Sequence, residues 1–323
     1  MKSFTPTGCD ISKLHIDIGF LIDENAITHI KIENSHKGYL QLKQHVDDLN
    51  LQPHFCMEAT GNYYEDFADF LTDCGYKVSV INPLKIKSFA KTEFLRTKTD
   101  KQDAKMIARY CDKIKPQSIY VKPTSIQHKI RRNIAGLRQL NKDLNAIKNR
   151  IKAVKDAHLL EIFNTHRKMI ESSIKQLKQH IADLTQQSPA ADTATNLQTM
   201  PSFGAITAAT LSHFLTLYRF QTENQFVAFA GLSPQKEQSG TSVNKPDKLS
   251  KYGNRTLKGS LYMSALVCLR CGYFSAFVER LRQRNKPSKV IIVALMRKLA
   301  GIAWHLWNKG ESFDPARYGM QKP

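Results

Sequence analysis

The sequence predicts an α/β domain followed by a mainly α-helical remainder, and three patterns in its 323 residues support this fold class. Before residue 115, short apolar stretches typical of strands alternate with stretches of helical periodicity. From residue 130, apolar residues recur in heptads, which is typical of long paired helices. The last third is again mostly helical in pattern. We therefore expect three regions, 1–115, 122–185 and 195–323.

The first region begins with a meander of three predicted strands, at 7–11, 14–22 and 26–32. A helix follows from the N-cap residue Ser35, with four apolar residues on one face: Tyr39, Leu42, Val46 and Leu49. Two more strands, at 53–57 and 76–81, flank a second helix at about 63–74. This order of elements predicts a mixed sheet covered by helices.

Two carboxylates stand on these strands. Asp10 lies on the first strand, and Glu58 lies at the carboxyl end of the fourth, where open α/β sheets place functional residues. If the first and fourth strands are neighbours, the two side chains face each other across a short gap. Taken alone, each has a simpler explanation, as a strand-end turn residue for Asp10 and a surface carboxylate for Glu58.

Two further carboxylates, Asp100 and Asp103, are three residues apart in a basic stretch. If a helix begins here, both project from one face, and like charges held so close repel each other. A bound divalent cation would remove that repulsion. The alternative is an ordinary helix start, with Thr99 or Asp100 as N-cap and Asp103 favourable to the helix dipole. Together with Asp10 and Glu58, the pair predicts a site for one or two hard cations.

The charge of the chain is strongly positive and unevenly distributed. The formal net charge is +20, yet residues 1–100 carry 11 Lys/Arg against 14 Asp/Glu, whereas residues 122–182 carry 14 against 4. An acidic front beside a basic remainder indicates a metal site next to surfaces that bind a polyanion. No secretory signal precedes the six scattered cysteines, and the longest apolar run is far shorter than a membrane span. We expect an intracellular protein without a membrane partner.

The heptad region predicts two long helices. Its first stripe contains Ile130, Leu137, Leu144 and Ile151, and its second contains Ile170, Ile174, Leu177, Ile181 and Leu184. The two helices either pair as an antiparallel hairpin that reverses near 159–166 or dimerise with a second chain. The basic residues outside the seam form either a solvated face or a phosphate-binding one. They are Arg131, Arg132, Lys142, Lys148, Arg150, Lys152 and Lys155.

The last region begins after residues 186–199, which are small and polar and are predicted to form a linker. A Pro/Gly turn at 201–204 then opens a helix rich in alanine. Residues 235–242 are predicted to form a polar loop that contains Ser239, followed by Gly240. A serine hydroxyl flanked by Lys and Arg is suited to attack a phosphate whose charge those bases neutralise, although Ser-Gly is also a common turn pair.

In these motifs the chain resembles, over essentially its whole length, the Piv/MooV-type DEDD transposases, the insertion-sequence recombinases also known as bridge-RNA-guided recombinases. The matching fragments in the front are Gly8-Cys9-Asp10-Ile11-Ser12-Lys13, Met57-Glu58-Ala59-Thr60-Gly61-Asn62-Tyr63, Asn82-Pro83 and Lys98-Thr99-Asp100-Lys101-Gln102-Asp103-Ala104. Those in the back are Ala230-Gly231-Leu232-Ser233-Pro234, Gln238-Ser239-Gly240 and Ser250-Lys251-Tyr252-Gly253-Asn254. Each fragment is short, but their joint order and spacing are specific.

The resemblance implies a RuvC-like (ribonuclease H-type) front domain in which Asp10, Glu58, Asp100 and Asp103 bind Mg²⁺ (or Mn²⁺). It also implies a coiled-coil connector and a C-terminal transposase domain in which Ser239 is the nucleophile. One departure is Thr256-Leu257-Lys258, where the family pattern has Leu-Arg. The basic residues that we expect to contact nucleic acid are Lys98, Arg131, Arg132, Lys251 and Arg255.

The function that these expectations favour is a DNA transposase or site-specific recombinase that acts through a phosphoserine intermediate. The implied partners are donor and target DNA, a guide (bridge) RNA and further copies of the chain in a dimer or tetramer, in the bacterial cytoplasm and associated with the nucleoid when active. Three alternatives remain: a DNA invertase of the same family, a metal-dependent nuclease or junction resolvase without a serine adduct, and a non-catalytic DNA- or RNA-binding protein.

Overall fold

The computed structural model describes residues 4–23, 26–59, 61–93, 99–239, 243–250 and 252–320, with the backbone alone at 236–239 and 243–247. The chain forms two compact units, Met1–Lys122 and Pro123–Pro323. Each unit has its own buried apolar clusters.

A five-stranded sheet forms the centre of the first unit. Its strands are β1 (Thr5–Ile11), β2 (His15–Asp23), β3 (Ala26–Glu33), β4 (Pro53–Glu58) and β5 (Lys77–Ile81). The order across the sheet is β3-β2-β1-β4-β5. The first three strands form an antiparallel meander, whereas β4 runs parallel to β1 and β5 parallel to β4. The predicted mixed sheet is therefore confirmed, and β1 and β4 are neighbours.

Helices cover both faces of this sheet. They are α1 (His36–Asp48), α2 (Glu65–Asp73), α3 (Pro83–Thr92) and α4 (Asp100–Ile114). Helices α1 and α2 pack on one face around Phe20 and Phe55, and α3 and α4 pack on the other around Cys56 and Ile81. The side chain of Ser35 caps α1, as predicted. Leu49, expected on the buried face, is 46% exposed because the helix ends at Asp48.

The second unit begins with two long helices, α5 (Ser125–Ala153) and α6 (Ala157–Gln186). The apolar stripes pack against each other within the chain, and Lys148 Nζ lies 3.6 Å from Glu171 Oε1. The helices therefore form an antiparallel hairpin. The reversal lies at 154–156 and not at 159–166. That prediction was wrong because Val154 and His158 continue the heptad spacing through the turn.

The rest of the unit is a helical core with one strand hairpin. Its elements are α7 (Ala191–Gln198), α8 (Ala205–Tyr218), α9 (Glu223–Phe229), β6 (Pro234–Ser239), β7 (Val243–Leu249), α10 (Arg255–Arg270), α11 (Ser275–Gln283) and α12 (Ser288–Lys309). The predicted linker at 186–199 is wrong, since it contains α7, in which Ala194 and Leu197 are fully buried. The small residues serve close packing there.

Helix α12 is the centre of this core. By length and composition it could span a membrane, but half of its most apolar stretch is buried inside the protein. Its buried residues pack against those of α8, α9 and α10. The burial explains the apolar composition of this helix without a membrane.

Candidate active site

The register of the sheet places Asp10 beside Glu58. Cys9 on β1 is the partner of Met57 on β4, so the next residues along the two parallel strands, Asp10 and Glu58, stand side by side. Both are at the carboxyl ends of their strands, where the sheet opens. Because side chains alternate between faces, both lie on the face that α4 covers, as does Cys56 two residues earlier.

A pair of glycines lets α4 lie directly on this face. Gly8 and Gly19 are opposite each other on β1 and β2. A Cβ on Gly8 would overlap the carbonyl oxygen of Ala104 and the amide nitrogen of Ala108, both backbone atoms of α4. A Cβ on Gly19 would lie 3.5 Å from the carbonyl of Ala104. The helix backbone therefore occupies the space that a side chain at position 8 would fill and lies within van der Waals distance of a Cβ at position 19.

This contact positions the start of α4 over Asp10. Thr99 caps the helix, its hydroxyl accepting a hydrogen bond from the Gln102 amide at 3.3 Å. Asp100 lies four residues before Ala104, about 6 Å along the helix axis. Asp10 lies two residues beyond Gly8, about 7 Å along the strand. Asp100 and Asp103 thus reach the end of the sheet at which Asp10 and Glu58 lie.

The electrostatics of Asp10 reflect this convergence. Burial and the negative charges of Asp103, Asp100 and Glu58, in that order of size, together raise the pKa of Asp10 to about 6. The structure therefore brings together all four carboxylates that the sequence singled out. Their donor set is entirely carboxylate oxygen, the type of ligand that Mg²⁺ and Mn²⁺ prefer.

The sequence analysis missed a fifth carboxylate, Asp17. It lies directly opposite Asp10 on β2 and is 6% exposed. His29 donates a hydrogen bond from Nε2 to Asp17 Oδ1 at 2.8 Å, and Lys31 Nζ lies 3.4 Å from Oδ2. Asp17 therefore has cationic and hydrogen-bonding partners on β3. An aspartate between the apolar residues Ile16 and Ile18 was the signal that could have identified it.

A buried polar cluster lies behind the acidic group on the same face. The thiol of Cys56 donates to Cys111 Sγ at 2.7 Å, and that of Cys111 donates to the carbonyl oxygen of His54 at 3.4 Å. His54 Nε2 lies 2.8 Å from the hydroxyl of Ser79. His54, Cys56 and Cys111 lie close enough to hold a metal ion. Their polar atoms, however, already bond to one another or to Ser79, which is the usual condition of buried polar groups.

The predicted nucleophile, Ser239, lies in the second unit as the last residue of β6. The stretch predicted as a polar loop is instead largely a strand, and Ser239 pairs with Val243 at the far end of the β6–β7 hairpin. The side chain of Ser239 and residues 240–242 lie outside the described part of the structure. The backbone therefore places this serine in the last residue pair of the β6–β7 ladder.

The base of this hairpin is built from two closely packed loops. A Cβ on Gly253 would overlap the backbone of Gly231, and both glycines have positive φ. The Asn254 amide donates to the carbonyl of Phe229 at 2.8 Å. Arg297 Nη1 donates to the carbonyl of Leu232 at 2.9 Å. The loops that enter and leave the hairpin are thus held together by backbone contacts and by a side chain from α12.

The candidate nucleic-acid contacts divide into three groups. Lys98 and Lys251 lie outside the described residues. Arg132 is exposed on α5. Arg131 on α5 and Arg255 at the start of α10 line one cavity of about 260 Å³, although 124 positions separate them in the sequence. Both residues were predicted from the sequence as nucleic-acid contacts, but their position at the same cavity was not predicted.

Comparison with known proteins gives a consistent result over the whole chain. Residues 7–164 match the DEDD transposase family of the IS110 type, and residues 194–279 match the transposase family IS116/IS110/IS902. The pilin gene-inverting proteins of Moraxella lacunata and Moraxella bovis are each 32% identical over 97% of this chain and 98% of their own length. The transposase for insertion sequence element IS1328 of Yersinia enterocolitica is 30% identical over 45% of this chain and 42% of its own. With both family matches and relatives aligned from end to end, the chain belongs to the IS110 family of transposases and is a DNA transposase or recombinase.

Proposed function

We propose that the chain cuts and rejoins DNA through a covalent phosphoserine link at Ser239, with a divalent metal held by Asp10, Glu58, Asp100 and Asp103. The observation that carries the proposal is the convergence of these four carboxylates, which together with burial raises the pKa of Asp10 to about 6. Like charges gathered in this way are unfavourable unless a cation neutralises them. A protein with a formal charge of +20 had no need to gather them for solubility.

The four residues fit Mg²⁺ or Mn²⁺ as ligands because they offer only carboxylate oxygens. When bound, the metal supplies Lewis-acid polarisation of the scissile phosphate and neutralises its charge. The protein contributes the position of the four ligands, which the contact between Gly8 and α4 holds in place.

The serine contributes the covalent step. Its Oγ attacks the phosphorus of one DNA strand, an Oγ–P bond forms, the P–O bond to one sugar breaks, and the released end becomes a hydroxyl group. The phosphodiester energy is conserved in the serine ester, so a second hydroxyl end can reverse the reaction and rejoin the strand. No nucleotide cofactor is needed for such an exchange.

Each of three regions has its own role in this reaction. Residues 1–115 form a RuvC-like (ribonuclease H-type) catalytic domain, 122–185 a coiled-coil connector, and 195–323 the transposase domain with the serine. Recombination joins two DNA duplexes through several cuts, so a dimer or tetramer is needed, and the long α5–α6 hairpin is suited to assembly. Donor and target DNA are the substrates, a guide RNA directs the choice of site, and the protein works in the bacterial cytoplasm.

Inversion of a DNA segment is the second candidate outcome. The observation in its favour is the end-to-end likeness to proteins named for inverting a pilin gene. Inversion and transposition use the same cutting and joining chemistry, so the proposed site serves either. The arrangement of DNA ends decides which one results.

Adduct trapping tests the chemistry. The protein is incubated with Mg²⁺, labelled DNA that carries the ends of its own element, and RNA transcribed from those ends. A denaturant-resistant protein–DNA band is then sought for the wild type, Ser239→Ala and Asp10→Asn. Ser242→Ala is the matched control, since it removes a serine hydroxyl only three positions away in the sequence.

We expect a band for the wild type and for Ser242→Ala, and none for the other two variants. A band that persists in Ser239→Ala and disappears in Ser242→Ala would move the nucleophile to Ser242. Nicked DNA without any band, persisting in Ser239→Ala, would favour the metal-dependent nuclease. Full activity of Asp10→Asn would exclude the acidic group from the reaction.

A further inference from the structure

A small cavity in the second unit lies where α5, α8 and α10 meet. Its lining includes Arg131 from α5, His213 and Tyr218 from α8, and Asn254 and Arg255 at the start of α10. We name it the α5/α8/α10 cavity. Its volume of about 260 Å³ is several times the roughly 30 Å³ that one water molecule occupies in the liquid.

The most unusual residue of this cavity is His213. It is only 1% exposed, and neither of its ring nitrogens has a hydrogen-bond partner among the residues that the structure describes. A buried polar group without a partner costs about 1–3 kcal/mol, and each such group in a folded protein calls for an explanation. A leucine of similar volume would avoid this cost. The imidazole is retained at the wall of a cavity, where a ligand would supply its partner.

The charge of the cavity indicates what that ligand is. Its described lining contains two guanidinium groups, from Arg131 and Arg255, and no carboxylate. A third arginine, Arg138, donates a hydrogen bond from Nη1 to Thr256 Oγ1 at 2.7 Å and so ties α5 to the first turn of α10 beside the cavity. An N–H donor, two arginines and a helix N-terminus together favour an oxyanion with several acceptor oxygens.

The state of His213 agrees with this assignment. Burial, followed by the positive charges of Arg131 and His128, lowers its pKa to about 4, so the ring is neutral near pH 7. A neutral imidazole still carries one N–H donor. It can therefore donate to an anion without adding a third positive charge to a buried site.

We propose that the α5/α8/α10 cavity binds one backbone phosphate of the nucleic acid, with His213 donating a hydrogen bond and Arg131 and Arg255 neutralising the charge. This inference rests on the proposed function, because it takes nucleic acid to be the substrate. Phosphate contacts fix the register of a protein on its nucleic acid without reading the sequence. The cavity would thus anchor the strand at the base of α10, the helix that directly follows the β6–β7 hairpin.

Binding measurements without catalysis test the proposal independently of the serine chemistry. Full-length protein in EDTA is titrated into a fluorescent DNA duplex of the element ends and, separately, into the RNA transcribed from them, at several salt concentrations. The variants are Arg131→Gln, His213→Leu and Lys129→Gln. Lys129 is the matched control because it loses one positive charge two positions before Arg131 on α5, is exposed and does not line the cavity.

We expect Arg131→Gln to weaken binding about tenfold and to reduce the slope of log affinity against log salt by about one, as the loss of one phosphate contact does. Lys129→Gln should weaken binding less than threefold. His213→Leu should weaken binding about fivefold and at the same time raise the melting temperature of the free protein. The DNA and RNA arms identify which nucleic acid supplies the phosphate.

Equal losses for Arg131→Gln and Lys129→Gln would overturn the proposal, because binding would then follow from the general charge of α5. Unchanged affinity of His213→Leu for both nucleic acids, with a raised melting temperature, would overturn it as well and make His213 a residue of the core. Neither result depends on adduct formation, so failure of the serine mechanism is distinguishable from failure of the phosphate site.

Discussion

Gly8 and Ala104 are in direct backbone contact, and no residue larger than glycine fits at position 8. A Cβ on Gly8 would overlap the carbonyl oxygen of Ala104. Backbone atoms cannot rotate away as side chains do, so any larger residue must displace the whole helix. Since α4 begins with Asp100 and Asp103, this contact determines how close two of the four carboxylates come to Asp10.

Gly8→Ala should therefore destabilise the first unit and weaken its response to metal. We expect a loss of about 1–3 kcal/mol of unfolding free energy, the usual cost of overpacking, measured by urea denaturation. The rise in melting temperature caused by Mg²⁺ should also shrink, because Asp100 and Asp103 move relative to Asp10.

Gly259→Ala is the matched control, since this glycine lies in α10 with open space at its Cβ position. We expect Gly259→Ala to raise the free energy of unfolding by about 0.5–1 kcal/mol, because alanine has the higher helix propensity. Unchanged stability of Gly8→Ala would contradict the role assigned to the contact.

Asp10→Asn should stabilise the protein when no metal is bound. The raised pKa of Asp10 means that the folded protein disfavours its ionised form, so at pH 8 the folded state carries that cost. Asparagine has nearly the same shape and no charge. In EDTA at pH 8, the melting temperature should rise by about 2–4 °C, which corresponds to about 1 kcal/mol.

With Mg²⁺ present, the wild type should instead have a higher melting temperature than Asp10→Asn. The ion stabilises the wild type by binding the folded state, and Asp10→Asn should lose most of that effect. Asp143→Asn, on an exposed position of α5, is the control for removal of one carboxylate. A lower melting temperature of Asp10→Asn in EDTA would argue that Asp10 is held by a partner that the charge argument omits.

The sequence was sufficient to predict the sheet and its acidic residues because these depend on local periodicity and on strand order. Asp10 and Glu58 could be paired once β1 and β4 were expected to be neighbours. The close contact of Gly8 with α4 could not be predicted in the same way, since glycine has no apolar signal and the contact joins residues that are far apart in the chain. That Arg131 and Arg255 line the same cavity could not be predicted either, because the two residues are far apart in the chain.

The β6–β7 hairpin was missed for a different physical reason. Its strands read Pro-Gln-Lys-Glu-Gln-Ser and Val-Asn-Lys-Pro-Asp-Lys-Leu, so neither has the apolar alternation of a strand that packs on a core. The described side-chain and loop contacts of this hairpin lie at its base. There, Gly231 and Gly253 pack backbone to backbone and Arg297 donates to Leu232.

Gly231→Ala should therefore lower the free energy of unfolding by more than backbone strain alone would. Gly231 has φ +73°, and an added Cβ would lie 2.5 Å from the carbonyl oxygen of Tyr252 and 2.9 Å from Lys258 Nζ. Gly272 has a similar φ of +68° but open space, so Gly272→Ala measures the strain by itself. In urea denaturation, we expect Gly272→Ala to lose about 1 kcal/mol of unfolding free energy and Gly231→Ala to lose clearly more.

The two variants should also differ in adduct formation. Gly231→Ala shifts the loop that leads into β6 and should reduce the yield of the serine adduct under conditions in which the protein remains folded. Gly272→Ala, between α10 and α11, should leave the yield unchanged. Equal adduct yields for both would indicate that the base of the hairpin does not control the position of Ser239.

The buried imidazole of His213 should make stability depend on pH in a defined window. Its pKa is lowered to about 4, from about 6.5 in the unfolded chain. Above pH 6.5 the ring is neutral in both states and has no effect. As the pH falls from 6.5 to 4, only the unfolded chain takes up the proton, so the folded state loses stability, on the order of 3 kcal/mol in total.

The comparison of wild type with His213→Leu isolates this contribution. The groups that face His213 are His128 and Arg131 from α5, and Tyr218 and Arg255 line the same cavity. Because these groups are present in both proteins, the difference between the two unfolding free energies, measured in urea from pH 4 to 8, reports on His213. We expect His213→Leu to become increasingly more stable than the wild type as the pH falls below 6.5. His180→Leu, on the exposed face of α6, is the control. Parallel curves for the wild type and His213→Leu between pH 4 and 6.5 would mean that His213 takes up its proton in the folded protein as readily as in the unfolded chain, which its burial beside Arg131 opposes.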